Sequence, residues 1–387
     1  MQSLTAFLLA TILALALVPA PQSQKKSPPE EKSEEKTGCG TVVTPEELKA
    51  ELARRAELAR KNVAPLAMAA PTDNPYYLPL TIHIVHDETG VLGGLGPGIL
   101  ETIVENLNRM YQPVGIQFFI YGQIDHSIRN INLYDALTRE KQNELLGVNS
   151  IPNTINVYIA NLGKQCGRGT LTSDSAPQGV LMNDQCLENI SVLGQGNLLS
   201  LFAHEVGHYL NLYHTHEKAH GVECPNGSNC KTAGDLLCDT PADPDLSKPS
   251  KVDFNCVYNN SVAPPVAQCG DTPYAPSTNN LMSESKGSCK NQFTAGQIDK
   301  MLQTLLNDGK RKKLIDSWKF YVDPQASSSN TKCTSTAPCR TVEKAVQAAR
   351  DGAVIYLKPG VHPVSSLDGK KLSLLRWGGS GVAELKP

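Results

Sequence analysis

The sequence predicts an α+β fold with a polar N-terminal segment and a small β-rich C-terminal piece. Three observations lead there. A strand, a helix and two further strands follow one another between Leu78 and Ala160. An apolar helix pattern at 197–213 is followed by an irregular stretch, about 215–290, holding six cysteines. The chain changes character again at 319. A length of 387 residues suits two or three units at roughly 150 residues each.

The N-terminus reads as an export signal over 1–24. Leu4 to Val18 is apolar and uncharged, with small residues at Ala20 and Ser23. The run is short for a membrane span. It lacks Lys or Arg on its N-terminal side, so a retained anchor is the competing reading. Residues 22–38 (QSQKKSPPEEKSEEKTG) are too polar to build a core. A helix should start at Thr44 (N-cap), with Pro45 at N1 and Glu47 completing a capping box, and run to about Lys61. Residues 62–76 read as a linker.

Leu80, Ile82 and Ile84 alternate with Thr81, His83 and Val85, which predicts a half-buried strand over Leu78–Val85. Thr89–Gly98 is a glycine-rich loop. Apolar residues at 99, 103, 107 and 110 predict a helix over Ile99–Tyr111. Gly115–Tyr121 and Thr154–Ala160 read as strands, and NLLSLFAHEVGHYLNLY (197–213) as a helix. The irregular stretch after it needs disulfides or metal ions as staples. Phe293–Trp318 returns to a helical pattern with Thr294 as N-cap.

A net charge of -2 and a pI near 6.5 give no support to nucleic-acid binding or to a polybasic membrane contact. Eleven cysteines in an exported chain imply disulfides. An odd count leaves one over, and Cys39, far upstream in a polar segment, is the outlier.

His204-Glu205-Val206-Gly207-His208 is an HExxH motif on a predicted helix. Residues four apart share a helical face, so both imidazoles reach one ion. Glu205 can then address a water on that ion rather than the ion itself. Three protein ligands leave zinc a position for water, whose proton a carboxylate can take. A lone His on a helix is usually structural. Here a third, His214, follows within HEVGHYLNLYH.

That pattern resembles the metzincin clan of zinc endopeptidases. The resemblance implies a zincin-type α+β catalytic domain over 77–318. In the clan the helix breaks at a glycine; here Asn211 stands there, the next most tolerant residue of φ > 0. A turn with Met beneath the metal matches Asn279-Asn280-Leu281-Met282-Ser283. Finer matches point to the pappalysin family: HEVGHYLNLYHTH, the segment Gly234-Asp235 to Asp239-Thr240-Pro241, Phe293-Thr294 to Gln297 with Met301, and Cys39-Gly40-Thr41. Together they cover residues 39 to 306.

The family implies one catalytic zinc on His204, His208 and His214, with Glu205 as catalytic base. It implies a latent zymogen whose prosegment, 25–76, places the Cys39 thiolate on the zinc, activated by cleavage between about Lys61 and Tyr76. It implies calcium at Asp235, Asp239 and Thr240; aspartates capping turns are the plain alternative. It implies disulfides Cys238–Cys269 and Cys256–Cys289. Closeness in sequence suggests Cys166–Cys186 and Cys224–Cys230. The expected partner is a protein or peptide substrate, bound as a strand on a sheet edge above the zinc. The expected location is outside the cell, in the periplasm or at the cell surface, with no stable membrane insertion after signal removal. One departure stands out. The family's Tyr two residues after the Met is Glu284 here, and an ionised carboxylate cannot donate to a reacting carbonyl. With Asn211, it keeps open a second reading: a weakened or inactive scaffold used for surface binding or adhesion.

The remaining histidines have no ligand spacing, and Lys310-Arg311-Lys312-Lys313 reads as a solvated helix face. Residues 319–387 resemble the entry of a right-handed parallel β-helix, truncated: YVDP, a Ser/Thr loop, RTVEKAVQAA, then AVIYLKPG. That resemblance implies a carbohydrate- or surface-binding module. Too few coils are present to stack, so either the piece is truncated or it folds as a small lobe stapled by Cys333–Cys339.

Overall fold

The computed structural model describes residues 37–60, 75–90, 95, 98–174, 177–187, 199–262, 269–270, 272–350, 353–370, 372–378 and 380–386. The expected signal segment, 1–24, and residues 61–74, where activation cleavage is expected, lie outside the described residues.

A six-stranded sheet organises the chain. Its strands are β1 (Thr37–Cys39), β2 (Tyr76–Ile84), β3 (Ile116–Ile120), β4 (Ile155–Ala160), β5 (Gln165–Gly169) and β6 (Val180–Asn183), in the order β1-β5-β6-β4-β2-β3. Every neighbouring pair is parallel except β5 with β6. The helices are α1 (Pro45–Arg60), α2 (Ile99–Tyr111), α3 (Ile131–Tyr134), α4 (Arg139–Leu145), α5 (Leu199–Tyr209), α6 (Ala295–Asn307), α7 (Lys313–Asp316) and α8 (Val342–Ala348).

α2 and α5 cover one sheet face. Leu100, Ile103, Leu107 and Tyr111 of α2 meet Leu80, Ile82 and Ile84 of β2 and Phe202 and Val206 of α5 in the main core. The Tyr111 hydroxyl donates to the Ala203 carbonyl at 3.0 Å, tying α2 to α5. β2 is buried on both faces from Leu78 to Ile84, not half-buried. A second apolar layer of Tyr134, Leu145, Leu146 and Tyr158 covers the far face. The polar residues facing it are paired: Thr81 Oγ1 with Thr154 Oγ1 at 2.8 Å, and His83 with Asp125 at 2.9 Å and Asn156 at 3.0 Å.

The predicted helix over Phe293–Trp318 is broken in two. α6 opens with a full capping box between Thr294 and Gln297. It ends at Asp308, whose carboxylate accepts from the backbone of Lys310 (3.0 Å) and Arg311 (2.8 Å) and turns the chain.

Bridges Cys166–Cys186, Cys256–Cys289 and Cys333–Cys339 are present, and Cys39 is free. The other two differ from expectation. Cys224 joins Cys269 and Cys230 joins Cys238, in place of Cys238–Cys269 and Cys224–Cys230. A tight turn explains the exchange. Gly227 (φ 71°) donates to Cys224 O at 2.8 Å, and Asn229 Oδ1 accepts from Cys224 N at 2.8 Å. The turn sends Cys230 towards 238, while Asn226 donates to Cys269 O at 3.1 Å and holds that loop against Cys224.

After Trp318 a small core forms around Val322, Val342, Val346, Ile355 and Leu357, with the Cys333–Cys339 bridge inside it. β7 (Lys319–Val322), β8 (Val354–Leu357) and β10 (Ser373–Arg376) pair in parallel, as do β9 (Gly360–Pro363) and β11 (Ala383–Lys386). Trp318 packs edge-on against Tyr121 and donates its indole N–H to Asn153 O at 2.8 Å, joining this piece to the sheet.

Candidate metal centre

α5 buries Leu201, Phe202, Ala203 and Val206 in the core, which leaves His204 and His208 on one face. Gly207 meets Met282 from below; a Cβ there would press into the Met282 sulfur at 2.5 Å. The helix stops at Asn211, whose φ is 71°. Asn211 N donates to His208 O at 2.7 Å and Leu212 N to Gly207 O at 2.9 Å, so orphan carbonyls are used as the chain reverses. Thr215 N then donates to Met282 O at 3.1 Å, which seats His214.

The three imidazoles converge. His208 Nε2 is 3.1 Å from His204 Nε2 and 3.1 Å from His214 Nε2. His204 Nδ1 lies 2.6 Å from Leu281 O and His208 Nδ1 2.8 Å from Leu212 O. A carbonyl only accepts, so both Nδ1 atoms carry the proton and both Nε2 atoms present lone pairs. Burial pushes both histidines well below their ordinary pKa, so they are neutral. Lone pairs facing each other inside a protein need a cation between them. The donor set suits zinc.

Cys39 Sγ belongs to the same cluster, all four ligand atoms lying within 4.8 Å of one another. β1 delivers it by pairing with β5, Cys39 opposite Gly167. Gly40 N donates to Gly167 O at 2.8 Å, and Thr41 Oγ1 both donates to Gly169 O (2.9 Å) and accepts from Gly169 N (3.1 Å).

Glu205 is fully buried; Oε2 accepts from the Cys39 thiol at 3.3 Å and Oε1 has no partner. Burial, with the charge of Glu284, pushes its carboxyl up to about 8. β5 can pass this close only because it carries glycines: a Cβ at Gly167 would sit 2.6 Å from Glu205 Oε1, and one at Gly169 would collide with the Glu205 backbone. Glu284, two residues past Met282, places Oε1 3.3 Å from His214 Nε2 and 3.5 Å from His204 Nε2.

α1 lies against the turn that ends α5. Its Glu51 accepts from Asn211 Nδ2 at 3.1 Å, bonds Arg54 and Arg55, and lies 3.6 Å from Lys300 Nζ on α6. Thr172 donates to the other end of the Asn211 amide at 3.1 Å. Burial alone would raise the Glu51 carboxyl, but Lys300, Arg54 and Arg55 hold it well below the usual range.

Of the residues expected to bind calcium, Asp235 and Thr240 are together: Asp235 Oδ1 accepts from Thr240 Oγ1 at 2.8 Å and from Leu237 N at 3.0 Å. Asp239 instead caps α6, accepting from Gly296 N at 2.6 Å. A further acidic neighbour of Asp235 is Glu223. Asp235 Oδ2 and Glu223 Oε2 are both buried and without a partner. Burial and the Asp235 charge push Glu223 up to about 8, and burial first of all pushes Asp235 up to about 7.

Sequence reasoning missed Glu223, Glu51 and the glycines of β5, and it misplaced Arg311. The run 310–313 is not all solvated: Arg311 is 1 % exposed. Its Nε donates to Tyr209 O at 2.6 Å, its Nη1 to Gln178, and its guanidinium stacks 3.6 Å from the Tyr209 ring. It thus caps the C-terminal end of α5, one turn before His214. The alternate glycines of QCGRG were the available signal for β5. Nothing in the local sequence marks Arg311.

A family model described as Pregnancy-associated plasma protein-A, peptidase M43, matches residues 153–306. An extracellular metalloprotease of Colletotrichum graminicola is 31 % identical over 271 residues, covering 68 % of this chain and 88 % of its own. One from Sordaria macrospora is 28 % identical over 246 residues, covering 61 % and 75 %. A solved promirolysin of Tannerella forsythia aligns with 17 % identity and a TM-score of 0.47, covering 72 % of this chain and 97 % of its own. The chain belongs to the peptidase M43, or pappalysin, family and is a metalloendopeptidase.

Proposed function

We propose that the protein is secreted as a latent zymogen and hydrolyses peptide bonds within proteins, with zinc held by His204, His208 and His214 and Glu205 as general base. One observation carries this: three Nε2 atoms meet, two of them with their Nδ1 protons locked on carbonyls, beside a buried carboxylate with a free oxygen. Zinc, when bound, supplies Lewis acidity that lowers the pKa of a water and polarises the scissile carbonyl. Glu205 takes the proton from the attacking water and returns it to the leaving amine. With β1 gone, the edge of β5 is free to hold a substrate strand through Gly167 O and the Gly169 backbone. Secretion is supported by the apolar N-terminal run and by relatives that carry the name extracellular metalloprotease. Among the described residues no helix is long and apolar enough to cross a membrane. Activated protein should digest casein, lose that activity to a chelator and regain it with zinc. Activity indifferent to the chelator would end the proposal.

In the latent form, α1 adds an electrostatic hold through Glu51. Its depressed carboxyl means that docking is strengthened at pH values above the ordinary 4.5 and loses that contribution as pH falls below it. The protection of the α1 amides relative to their intrinsic exchange rate at each pH should therefore be high at pH 7 and fall between about pH 4.5 and 3. Glu51→Gln should show low protection at both.

Asp235 and Glu223, with Thr240 beside them, form the proposed calcium site; Asp239 contributes from the cap of α6. Their raised pKa values mean that stability falls as pH rises from the ordinary carboxylate range to about 7 to 8, above which both are ionised side by side. Calcium at a hundredfold excess over its Kd should restore about 2.7 kcal/mol. Melting at pH 8 should rise with calcium in the native protein and stay flat in Glu223→Gln.

A further inference from the structure

We infer that Glu284 is a fourth protein ligand of the active-site metal, one that stays when Cys39 leaves. This rests on the zinc reading above and goes beyond it.

The backbone around Glu284 is clamped. Met282 N donates to Asn280 Oδ1 at 2.8 Å, Ser283 N to Asn280 O at 3.1 Å, and Ser283 Oγ to Asp243 at 3.0 Å. Ser285 N then donates to Ser283 Oγ at 3.2 Å. Such a frame fixes where the Glu284 side chain starts. That side chain is 12 % exposed and points its Oε1 at two of the three imidazoles, 3.3 Å from His214 Nε2 and 3.5 Å from His204 Nε2.

The nearer imidazole nitrogen, His214 Nε2, pairs with this oxygen only while it carries the proton, and metal binding removes that proton. Oε1 is buried without a hydrogen-bond partner, and among the described residues no Lys or Arg nitrogen forms an ion pair with Glu284. His204 cannot donate to it, because its proton sits on Nδ1 against Leu281 O. A carboxylate oxygen and an imidazole lone pair 3.5 Å apart repel each other in a dry site. A metal ion bound by both removes the repulsion, and carboxylate oxygen is an ordinary zinc ligand.

The prosegment is shaped around the same carboxylate. A Cβ at Gly38 would collide with Glu284 Oε2, so glycine lets β1 lay Cys39 into the cluster without moving that carboxylate. With thiolate and carboxylate both present, the two anions neutralise a divalent ion. Once the thiolate is gone the centre keeps three imidazoles and one carboxylate. A carboxylate does not donate to the developing oxyanion, so substrate must enter as an added ligand or displace Glu284. Zinc permits such expansion.

The test uses the full-length protein and its activated form, each loaded with cobalt(II) in place of zinc. Visible absorption reports the coordination, and a competing chelator reports zinc affinity. Glu284→Gln and Glu284→Tyr are compared with the native chain, with circular dichroism as the check on folding. Loss of the carboxylate should shift the cobalt bands and weaken zinc binding by about 10- to 100-fold in the activated form. In the full-length form both variants should still bind through Cys39, with altered bands. Native-like bands and affinity in folded variants would overturn the Glu284 assignment and leave the three-histidine site standing. A native chain that takes up no metal would overturn the zinc reading itself.

Discussion

Replacing Glu205 with alanine is expected to lower kcat/KM by about 10²- to 10⁴-fold, the range that a positioned general base supplies. Zinc content, measured by elemental analysis, should not change, because Glu205 is not among the residues that converge as ligands. Stability should not fall either. Glu205 is fully buried with Oε1 unpartnered, so its removal relieves a desolvated carboxylate. A fluorogenic peptide assay on activated protein reads the rate. Near-native turnover in a zinc-loaded Glu205→Ala would show that another group takes the proton, and the roles assigned here would have to be redrawn.

Full-length protein carrying Cys39→Ser is expected to cleave a small peptide about 100-fold faster than the native full-length chain. A serine hydroxyl is a poor zinc ligand, and one ligand of such a site is worth roughly 3 kcal/mol of the 10 or more that the whole site supplies. The backbone pairing of β1 with β5 does not involve the thiol, so the prosegment should still fold and dock. Initial rates must be taken while a gel shows the chain intact. Unchanged latency would mean that the β1 backbone, filling the edge of β5, blocks the cleft without help from sulfur.

Much of the site was legible because its geometry is local. The four-residue spacing of His204 and His208 and the tolerance of Asn for φ > 0 at 211 are properties of short stretches. The strands β2, β3 and β4 were legible because β-branched and aromatic residues fill them. β5 was not, since its five residues include two glycines selected by the nearness of α5 rather than by strand propensity. The Cys224–Cys269 and Cys230–Cys238 pairs were not, because the turn at Gly227 decides which sulfur faces which partner. Glu284 was read as a missing donor. Its second meaning, an unpaired acceptor beside two imidazoles, emerges only when residues eighty and seventy positions apart are brought together. The Glu51 contact spans 160 residues and is likewise invisible along the chain.

Arg311 joins segments that precede it by 102, 133 and 141 residues. A ribosome releases the polypeptide in order, so α5 emerges long before the guanidinium that caps it. During that interval the Tyr209 carbonyl lacks its partner, and the bend leading to His214 lacks its brace. The C-terminal end of α5 is therefore completed only once residue 311 has left the exit tunnel.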